Sequence, residues 1–290
     1  MFTFVIAGCG DNGGSNNSND NISENNVSKE LNYTITGIEP GAGQTQKNDE
    51  VIAGYENLKG WKQELSSTGA MLSALDEAIK NEEPIIFTAW SPHYKFAKWD
   101  LKFLEDPKGL FGDEESGVTL ARKGLKEDFP VAYEILDRIH WEVKDLETAL
   151  LKAEDEDIET VANRWVEENE EIVAEWTEGI APANGDSIEI VMTPWDDSTF
   201  RSHVAGIVLE QNGFNVNLTP VDPAVVFKSI ATGNADATLA PWLPSTHRDM
   251  YEAYEGDFED LGPNFSGAKI GLAVPSYMKI DSLEDLEPKK

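Results

Sequence analysis

Several residue types are scarce in this 290-residue sequence, and each scarcity argues against a class of protein. Cysteine occurs once, at Cys9, so the chain can form neither an intramolecular disulfide nor a zinc cluster of thiolates. Lysine and arginine number 23 against 54 aspartates and glutamates, and the resulting net charge of −31 opposes binding to the phosphate backbone of nucleic acids. The simplest interpretation of this acidity is a solvated surface that keeps the protein in solution, also at high salt, and it identifies no partner.

Catalytic and metal-binding motifs are also missing. The sequence contains no Gly-x-Ser-x-Gly elbow, no His-Glu-x-x-His pair and no Walker A loop. The four histidines lack the spacing of a metal site: His93, His140, His203 and His247. Ser245 and Asp249 do lie near His247 in sequence, which leaves an enzyme as the alternative. We predict no catalytic residue, no metal site and no cofactor.

The first residues look like the end of a bacterial lipoprotein signal. In "FVIAGC" an apolar stretch and the small residues Ala7 and Gly8 directly precede Cys9. We therefore expect residues 1–9 to be a signal remnant and Cys9 to be lipidated. Residues 10–30 are rich in Asn, Ser, Gly and Asp, which predicts a flexible tether with a reach of about 25 Å. No later run approaches the roughly 18 apolar residues that a membrane span requires.

Two segments in the body of the chain follow the same order of strands and helices. From Tyr33 to Trp90 the apolar periodicity predicts strand, helix, strand, helix and strand, and residues 188–242 repeat that order. This alternation predicts an α/β fold with mainly parallel sheets, whose ligands bind outside the carboxyl ends of the strands. The acidic stretch from Asp145 to Trp176 has apolar residues at helical spacing and predicts helices that cover the second unit.

Three of the eight tryptophans lie at strand-to-loop transitions beside a proline: Trp90, Trp195 and Trp242. Packing in a core is the usual role of a tryptophan, and we assign it to the other five: Trp61, Trp99, Trp141, Trp165 and Trp176. For the three at strand ends we predict that the rings line a cleft. Such rings favour a quaternary ammonium, which has no N–H to donate but is attracted to the faces of aromatic rings.

A zwitterion with such an ammonium also needs donors for its carboxylate. The glycine-rich turn "EPGAGQT" leads into a predicted helix, where the backbone N–H groups of Gly43 and Gln44 can hold an anion against the helix dipole. A plain tight turn is the alternative. The ring of His247 in "APWLPSTH" can donate from the second unit, and His93 in "FTAWSPH" is expected in the wall of the cleft.

With these motifs together, the chain resembles the glycine betaine/proline betaine-binding lipoproteins of osmoprotectant ABC importers (OpuAC type). The resemblance covers about residues 31–287 and is carried by "TGIEPGAG", "FTAWSPHYKFAKWDLKFLEDPKGLFG", "ARKG", "WDDS", "APWLPSTH" and "GAKIGLAVPSYM". It implies a two-lobed type II periplasmic-binding-protein fold in circularly permuted order, with a ligand cleft between the lobes. It also implies that Trp90, Trp195 and Trp242 form the cage and that Gly43, Gln44 and His247 bind the carboxylate.

The resemblance further implies a place and partners for the protein. We expect an extracytoplasmic protein, lipid-anchored to the outer face of the cell membrane, that delivers a betaine to an ABC permease and its ATPase for osmoprotection. The alternatives are a ligand-sensing domain and a binding protein for choline or carnitine. The predicted first lobe comprises residues 31–99 and 275–290, and the predicted second lobe comprises residues 100–274.

Overall fold

The computed structural model describes residues 27–290. Residues 1–9 with Cys9, and most of the predicted tether, lie outside the described residues. The helices are α1 Val27–Glu30, α2 Gly43–Gly54, α3 Thr68–Asn81, α4 Lys95–Lys98, α5 Leu125–Asp128, α6 Pro130–Arg138, α7 Val143–Lys152, α8 Ile158–Glu168, α9 Glu170–Thr177, α10 Asp196–Gln211, α11 Pro223–Ala231 and α12 Arg248–Glu252. The strands are β1 Thr34–Thr36, β2 Lys62–Glu64, β3 Phe87–Ser91, β4 Leu101–Phe103, β5 Glu115–Arg122, β6 Ser187–Met192, β7 Asn215–Pro220, β8 Ala237–Thr238, β9 Trp242–Leu243 and β10 Phe258–Pro275.

Each of the two predicted repeats forms a parallel three-stranded unit. In the first unit β1 lies between β2 and β3 and runs parallel to both. In the second unit β6 occupies the same central place, parallel to β7 and to β8. The helices α2 and α3 connect the strands of the first unit, and α10 and α11 connect those of the second. The α/β fold predicted from the sequence is confirmed.

One long strand joins the two units. The first part of β10, Phe258–Ala268, pairs antiparallel with β5, and three irregularities in register interrupt this ladder. Its second part pairs antiparallel with β3 from Lys269 and with β4 at its end. We call residues 27–103 and 269–290 the first lobe and residues 115–268 the second lobe.

The strand pairing corrects the predicted lobe boundaries. The sequence placed the change of lobe between residues 99 and 100 and again between residues 274 and 275. However, β4 pairs with Ala273–Pro275 and so belongs to the first lobe. The second change therefore falls inside β10, between Ala268 and Lys269. A three-residue edge strand and a continuous strand that changes its partners both leave no signal in apolar periodicity.

The last four residues of the predicted tether also differ from the prediction. The tether was expected to extend to residue 30, but Val27–Glu30 form a helical turn in which Val27 and Ser28 are buried. The hydroxyl of Ser28 accepts a hydrogen bond from the backbone N–H of Glu287 at 2.8 Å. Packing against the C-terminal segment therefore orders a sequence that is too polar to order itself.

Local sequence explains where helices begin in both lobes. The hydroxyl of Ser67 accepts a hydrogen bond from the N–H of Ala70 at 3.1 Å and caps the N-terminus of α3. Met71, Leu75 and Ala78 fall on one face of α3 and are buried against the sheet. In the second lobe α11 starts with Pro223 at its first position, where no N–H is needed.

The acidic stretch after residue 142 forms the helices α7, α8 and α9, as predicted. These helices bury a cluster of three ring systems on the second lobe: the centroids of Trp165 and Trp176 lie 5.7 Å apart, and those of Trp141 and Trp176 lie 5.6 Å apart. Their apolar residues Leu146 and Val161 are buried as well. Within residues 27–290 no helix combines the length and the apolar character that a membrane crossing needs.

Candidate functional site

A cavity lies where the two lobes meet. Both lobes contribute to its wall, which is mainly apolar and aromatic. The lining residues are Ile38, Ala42, Gln44, Trp90, Trp195, Asp197, Trp242, Thr246, His247 and Ile270. The cavity lies at the carboxyl ends of β3 and β6, the edge that parallel sheets use for ligands.

The three tryptophans predicted for a cleft all reach this cavity. Trp90 lies near the end of β3, Trp195 directly precedes α10, and Trp242 begins β9, which pairs with Gly117 of β5. Trp90 and Trp242 are 7 % and 6 % exposed, as buried as the core tryptophan Trp61 at 5 %. Burial alone therefore does not separate the tryptophans that line the cavity from the core tryptophans, whereas their place at strand ends does.

The ring of His247 has one bonded and one free nitrogen. Its Nδ1 accepts a hydrogen bond from the backbone N–H of Trp242 at 2.9 Å, so in the neutral ring the proton resides on Nε2. Burial lowers the pKa of His247 to about 4, which keeps the ring neutral at physiological pH. The Nε2 atom is buried without a hydrogen-bond partner in the described part of the chain. His247 therefore combines a place in the cavity lining with an N–H donor that has no acceptor in the described part of the chain.

The N-terminus of α2 approaches the same cavity from the first lobe. The helix starts at Gly43, so the N–H groups of Gly43 and Gln44 have no acceptor within the helix. Gln44 lines the cavity, while its side chain is bound elsewhere and donates to the carbonyl oxygens of Ala89 and Gly271 at 2.6 Å and 3.0 Å. The side chain of Gln44 thus holds α2 on the sheet. The group that Gln44 can offer to a ligand is its backbone N–H.

Gly43 lies beside the cavity rather than in its lining. It borders a shallow neighbouring pocket together with Lys47 and Thr246. A side chain at this position would clash with the carbonyl oxygen of Thr246 in the second lobe. The glycine is therefore needed for the close approach of the two lobes, a role that the sequence-based interpretation as an anion-binding turn did not include.

A buried carboxylate fixes the loop that carries His247. The Oε1 atom of Glu115 accepts from the N–H groups of Ser245 and Thr246, each at 2.6 Å, and its other oxygen accepts from the hydroxyl of Thr246. Glu115 is 1 % exposed at the start of β5. Nothing in the sequence near Glu115 marked it, since its partners are 130 residues away.

A second carboxylate in the wall was also missed. Asp197 lines the cavity, accepts from the guanidinium of Arg201 at 2.7 Å and accepts from the indole N–H of Trp242 at 3.2 Å. Arg201 is fully buried and also donates to the carbonyl of Leu239 and to the side chain of Asn264. The sequence contains a signal that could have identified Asp197: in "TPWDDS" two acids follow Trp195 at the start of a helix.

The neighbouring Asp196 lies in a less compensated position. Asp196 is exposed to solvent, whereas Asp197 is buried. This end of α10 therefore holds two carboxylates of which one is paired with Arg201. Asp197 is the acidic residue in the lining of the cavity, and its charge is paired with that of Arg201.

One sequence prediction near the site is wrong in detail. His93 was expected in the cleft wall, but it is absent from the lining and packs behind Trp90, with the ring centroids 4.9 Å apart and nearly perpendicular. Trp99 was expected in a core, and it is partly buried and packs against the hydrophobic core. Among residues 27–290 no group of three or more metal-ligating side chains is found.

The chain is similar to proteins of known function. A sequence model of the substrate-binding domain of ABC-type glycine betaine transport systems matches residues 17–168 and 186–290. The chain is 41 % identical to the glycine betaine/carnitine transport binding protein GbuC of Listeria monocytogenes over 293 residues, which cover 100 % of this chain and 96 % of that protein.

Two solved structures show partial likeness. One is lactococcal OpuAC in its closed-liganded conformation with glycine betaine, with a TM-score of 0.46 and 42 % identity; the match covers 50 % of this chain and 57 % of that one. The other is a glycine betaine, L-proline ABC transporter binding protein (ProX) from Borrelia burgdorferi, with a TM-score of 0.47 and 32 % identity; the match covers 53 % and 59 %.

Proposed function

The chain belongs to the family of substrate-binding domains of ABC-type glycine betaine transport systems, and we propose that its inter-lobe cavity captures glycine betaine or a closely related zwitterion. Members of this family bind and deliver a substrate and are not enzymes. The observation that carries the proposal is one cavity that combines three tryptophans with the free Nε2–H donor of His247.

The tryptophans suit the ammonium end of such a ligand. A trimethylated nitrogen has no N–H, so it gains no hydrogen bond from Asp197 but does gain attraction from the faces of Trp90, Trp195 and Trp242. The carboxylate pair at the start of α10 adds a favourable potential without a direct bond. This combination selects methylated cations over primary amines, which would lose hydrogen bonds on entering the cage.

The donors suit the carboxylate end. His247 offers Nε2–H from the second lobe, and the N-terminus of α2 offers the N–H of Gln44 in the lining, with the N–H of Gly43 beside it and the positive end of the helix dipole. A neutral histidine with a fixed tautomer donates without being titrated at physiological pH. We infer that a zwitterion with a carboxylate binds more tightly than choline, which lacks one.

Binding couples to closure because the contacts come from both lobes. Around the cavity, the hydroxyl of Ser91 in the first lobe donates to Glu147 in the second at 2.8 Å, and Lys98 forms an ion pair with Glu154 at 2.6 Å. Only an arrangement with the lobes together lets Trp90 and His247 contact one small ligand. A ligand that binds this arrangement best shifts the population toward it.

The expected magnitudes are sufficient for this task. Three desolvated cation–π contacts contribute about 2 kcal/mol each, and two charge-assisted hydrogen bonds contribute about 1.5–3 kcal/mol each. A micromolar complex requires roughly 8 kcal/mol. The excess offsets the cost of immobilising the ligand and of closing the lobes.

Calorimetric titration with a panel of ligands tests the proposal. The panel is glycine betaine, proline betaine, carnitine and choline, each measured on the same preparation. We expect saturable binding of the betaines and at least about tenfold weaker binding of choline, the loss that corresponds to one charge-assisted hydrogen bond. Failure of every methylated zwitterion to bind would refute the proposal, and choline as the tightest ligand would favour the alternative of a choline-binding protein.

The same proposal includes the location of the protein. A substrate-binding protein of an ABC importer acts outside the cytoplasm and hands its ligand to a permease and its ATPase. We infer that lipidation of Cys9 anchors it, because an apolar stretch and small residues precede that cysteine. Cys9→Ser should release the protein from the membrane fraction while betaine affinity stays unchanged. Retention of the variant in the membrane would contradict lipid anchoring.

A further inference from the structure

The two cavity tryptophans of the second lobe differ in what their indole N–H groups contact. Nε1 of Trp242 donates to Oδ2 of Asp197 at 3.2 Å. Nε1 of Trp195 is buried and has no hydrogen-bond partner among the residues that the structure describes. A buried indole N–H usually finds an acceptor, and such a bond fixes the orientation of the ring. The ring of Trp242 is therefore oriented by Asp197 in addition to its packing.

Asp197 is itself fixed by an arginine on the same helix. Asp197 lies in the first turn of α10 and Arg201 in the next, and their side chains form an ion pair at 2.7 Å. Oδ2 of Asp197 accepts from Nη2 of Arg201 and from Nε1 of Trp242. The ion pair is buried, with Asp197 5 % and Arg201 0 % exposed. The carboxylate is thereby kept in place, because separating a buried ion pair is costly.

The arginine is held by further residues around the same tryptophan. Nη1 of Arg201 donates to Oδ1 of Asn264 at 2.9 Å, and Nδ2 of Asn264 donates to the hydroxyl of Thr119 at 3.0 Å. The guanidinium lies 4.8 Å from the centroid of the Phe265 ring, which meets the ring of Trp242 edge-on with the centroids 5.7 Å apart. All these residues belong to the second lobe. The network that orients Trp242 therefore needs no contact with the first lobe.

We propose that Asp197 and Arg201 are positioning residues: Arg201 holds the carboxylate of Asp197, and that carboxylate holds the ring of Trp242 as a wall of the cavity before a ligand arrives. This inference rests on the proposed function, in which the ligand binds to ring faces. A wall that is already oriented avoids the cost of ordering it on binding, which raises affinity for a methylated ammonium. Without the bond the ring is still present but less fixed, and affinity falls.

A double-mutant cycle tests this role. Trp242→Phe keeps an aromatic ring and removes the N–H that Asp197 accepts, and Asp197→Asn keeps the shape of the side chain and removes its charge. In the wild-type background we expect Asp197→Asn to weaken glycine betaine binding about tenfold, the factor that corresponds to one charge-assisted hydrogen bond. In the Trp242→Phe background the same change should weaken binding by less than about threefold, because no indole N–H remains to be held.

A purely structural role of Asp197 predicts a different result. If Asp197 only balances the charge of Arg201, Asp197→Asn lowers betaine affinity by the same factor in both backgrounds. Trp195→Phe provides the matched background, since Trp195 lines the same cavity from the same lobe and its indole N–H meets no acceptor in the described part of the chain. In that background Asp197→Asn should weaken binding about tenfold, as in the wild type.

The hydrogen bond itself is observed by NMR of protein labelled with ¹⁵N at tryptophan. Trp242→Phe identifies the indole N–H signal of Trp242 among those of the eight tryptophans. We expect this proton to lie downfield, to exchange slowly with solvent even without ligand, and to move upfield in Asp197→Asn. The indole signal of Trp61, which is bonded to the carbonyl of Glu287 in the first lobe, should stay in place.

Thermal melting checks that each variant is folded. If Asp197→Asn does not fold, the wild-type spectrum decides: a Trp242 indole N–H that exchanges freely in the ligand-free protein would overturn the inference, and a protected one supports it. Equal losses of affinity in the wild-type and Trp242→Phe backgrounds would overturn it while the proposed function stands. If the wild type binds no methylated zwitterion, the proposed function fails and this inference fails with it.

Discussion

The two tryptophan-proline segments of the cavity are alike in sequence and different in use. In the first lobe Trp90 is followed by Ser91, a cis proline and His93; in the second lobe Trp242 is followed by Leu243, a cis proline and, three residues later, His247. In both, the tryptophan lines the cavity. In the first segment the histidine directly after proline packs behind the tryptophan, whereas in the second the longer spacing brings the histidine round to the cavity.

The backbone partners of the two histidines explain this difference. Nδ1 of His93 accepts from the N–H of Lys95, two residues ahead, which closes a local turn away from the cavity. Nδ1 of His247 accepts from the N–H of Trp242, five residues back, and the N–H of His247 returns a bond to the carbonyl of Trp242 at 3.1 Å. A duplicated motif thus places one histidine behind a tryptophan in the first lobe and the other in the lining of the cavity in the second.

The largest effect is expected from the tryptophan of the second segment. Trp242→Ala should weaken glycine betaine binding by about 100-fold or more, because it removes a cage wall and the indole N–H that Asp197 accepts. Trp90→Ala should cost less, about 30-fold at most, because it removes a wall of the cavity but no hydrogen bond to Asp197. Both are measured by calorimetry on protein whose melting shows a folded state.

Trp99→Ala is the control for these two variants, since Trp99 is partly exposed and lies outside the cavity lining. Its betaine affinity should equal that of the wild type. Equal losses in Trp90→Ala and Trp242→Ala would show that the two segments contribute alike and would remove the asymmetry described above.

The histidines provide the next largest effect. His247→Ala should weaken glycine betaine binding by about 10- to 100-fold, because one charge-assisted hydrogen bond to the carboxylate is lost. His93→Ala, the matched change in the other segment, should alter affinity less than about threefold, since His93 is outside the cavity lining and supports Trp90.

Choline binding distinguishes two explanations for a loss of betaine affinity in His247→Ala. It has no carboxylate to lose, so its affinity should be nearly the same in His247→Ala and in the wild type. A loss of choline affinity equal to the loss of betaine affinity would mean that His247 acts on the shape of the cage rather than on the carboxylate.

The smallest change in betaine affinity is expected from Glu115, whose carboxylate holds the loop of the second segment. Glu115→Gln should weaken betaine binding about fivefold, because neutral hydrogen bonds to Ser245 and Thr246 replace charge-assisted ones and the loop to His247 becomes less fixed. Glu114→Gln, an exposed neighbour with the same change of charge, should bind like the wild type. Equal affinities in both variants would remove Glu115 from the positioning of His247.

The sequence predicted the repeated units well, because their periodicity is local. Strands such as β3 and β6 end in apolar runs followed by proline, and α3 and α10 begin after recognisable signals, so the sequence alone placed Trp90 and Trp195 at strand ends. Long-range contacts were the part that could not be predicted. Glu115 meets the loop at Ser245 across 130 residues of chain, and no local pattern encodes that contact.

The same limit explains the errors at the site. His93 and His247 look equivalent in sequence, and their different orientations depend on which backbone N–H each Nδ1 accepts. Lys95, whose Nζ atom lies 3.6 Å from the centroid of the Trp90 ring, begins a helix of four residues, too short to show a buried face in its periodicity. A lysine is expected at the surface by composition alone, so the burial of Lys95 emerges only from the tertiary structure.

The shared strand β10 has a consequence for how the molecule can be divided. Because Phe258–Ala268 complete the sheet of one lobe and Lys269–Ala273 complete that of the other, neither lobe is an independent folding unit. A chain cut before Phe258 would leave β3 and β5 each with an open edge, and edges of this kind recruit any strand that fits them. The segment from Phe258 to the C-terminus is therefore suited to fragment complementation: supplied separately, it would restore both sheets at once and report their assembly as a single event.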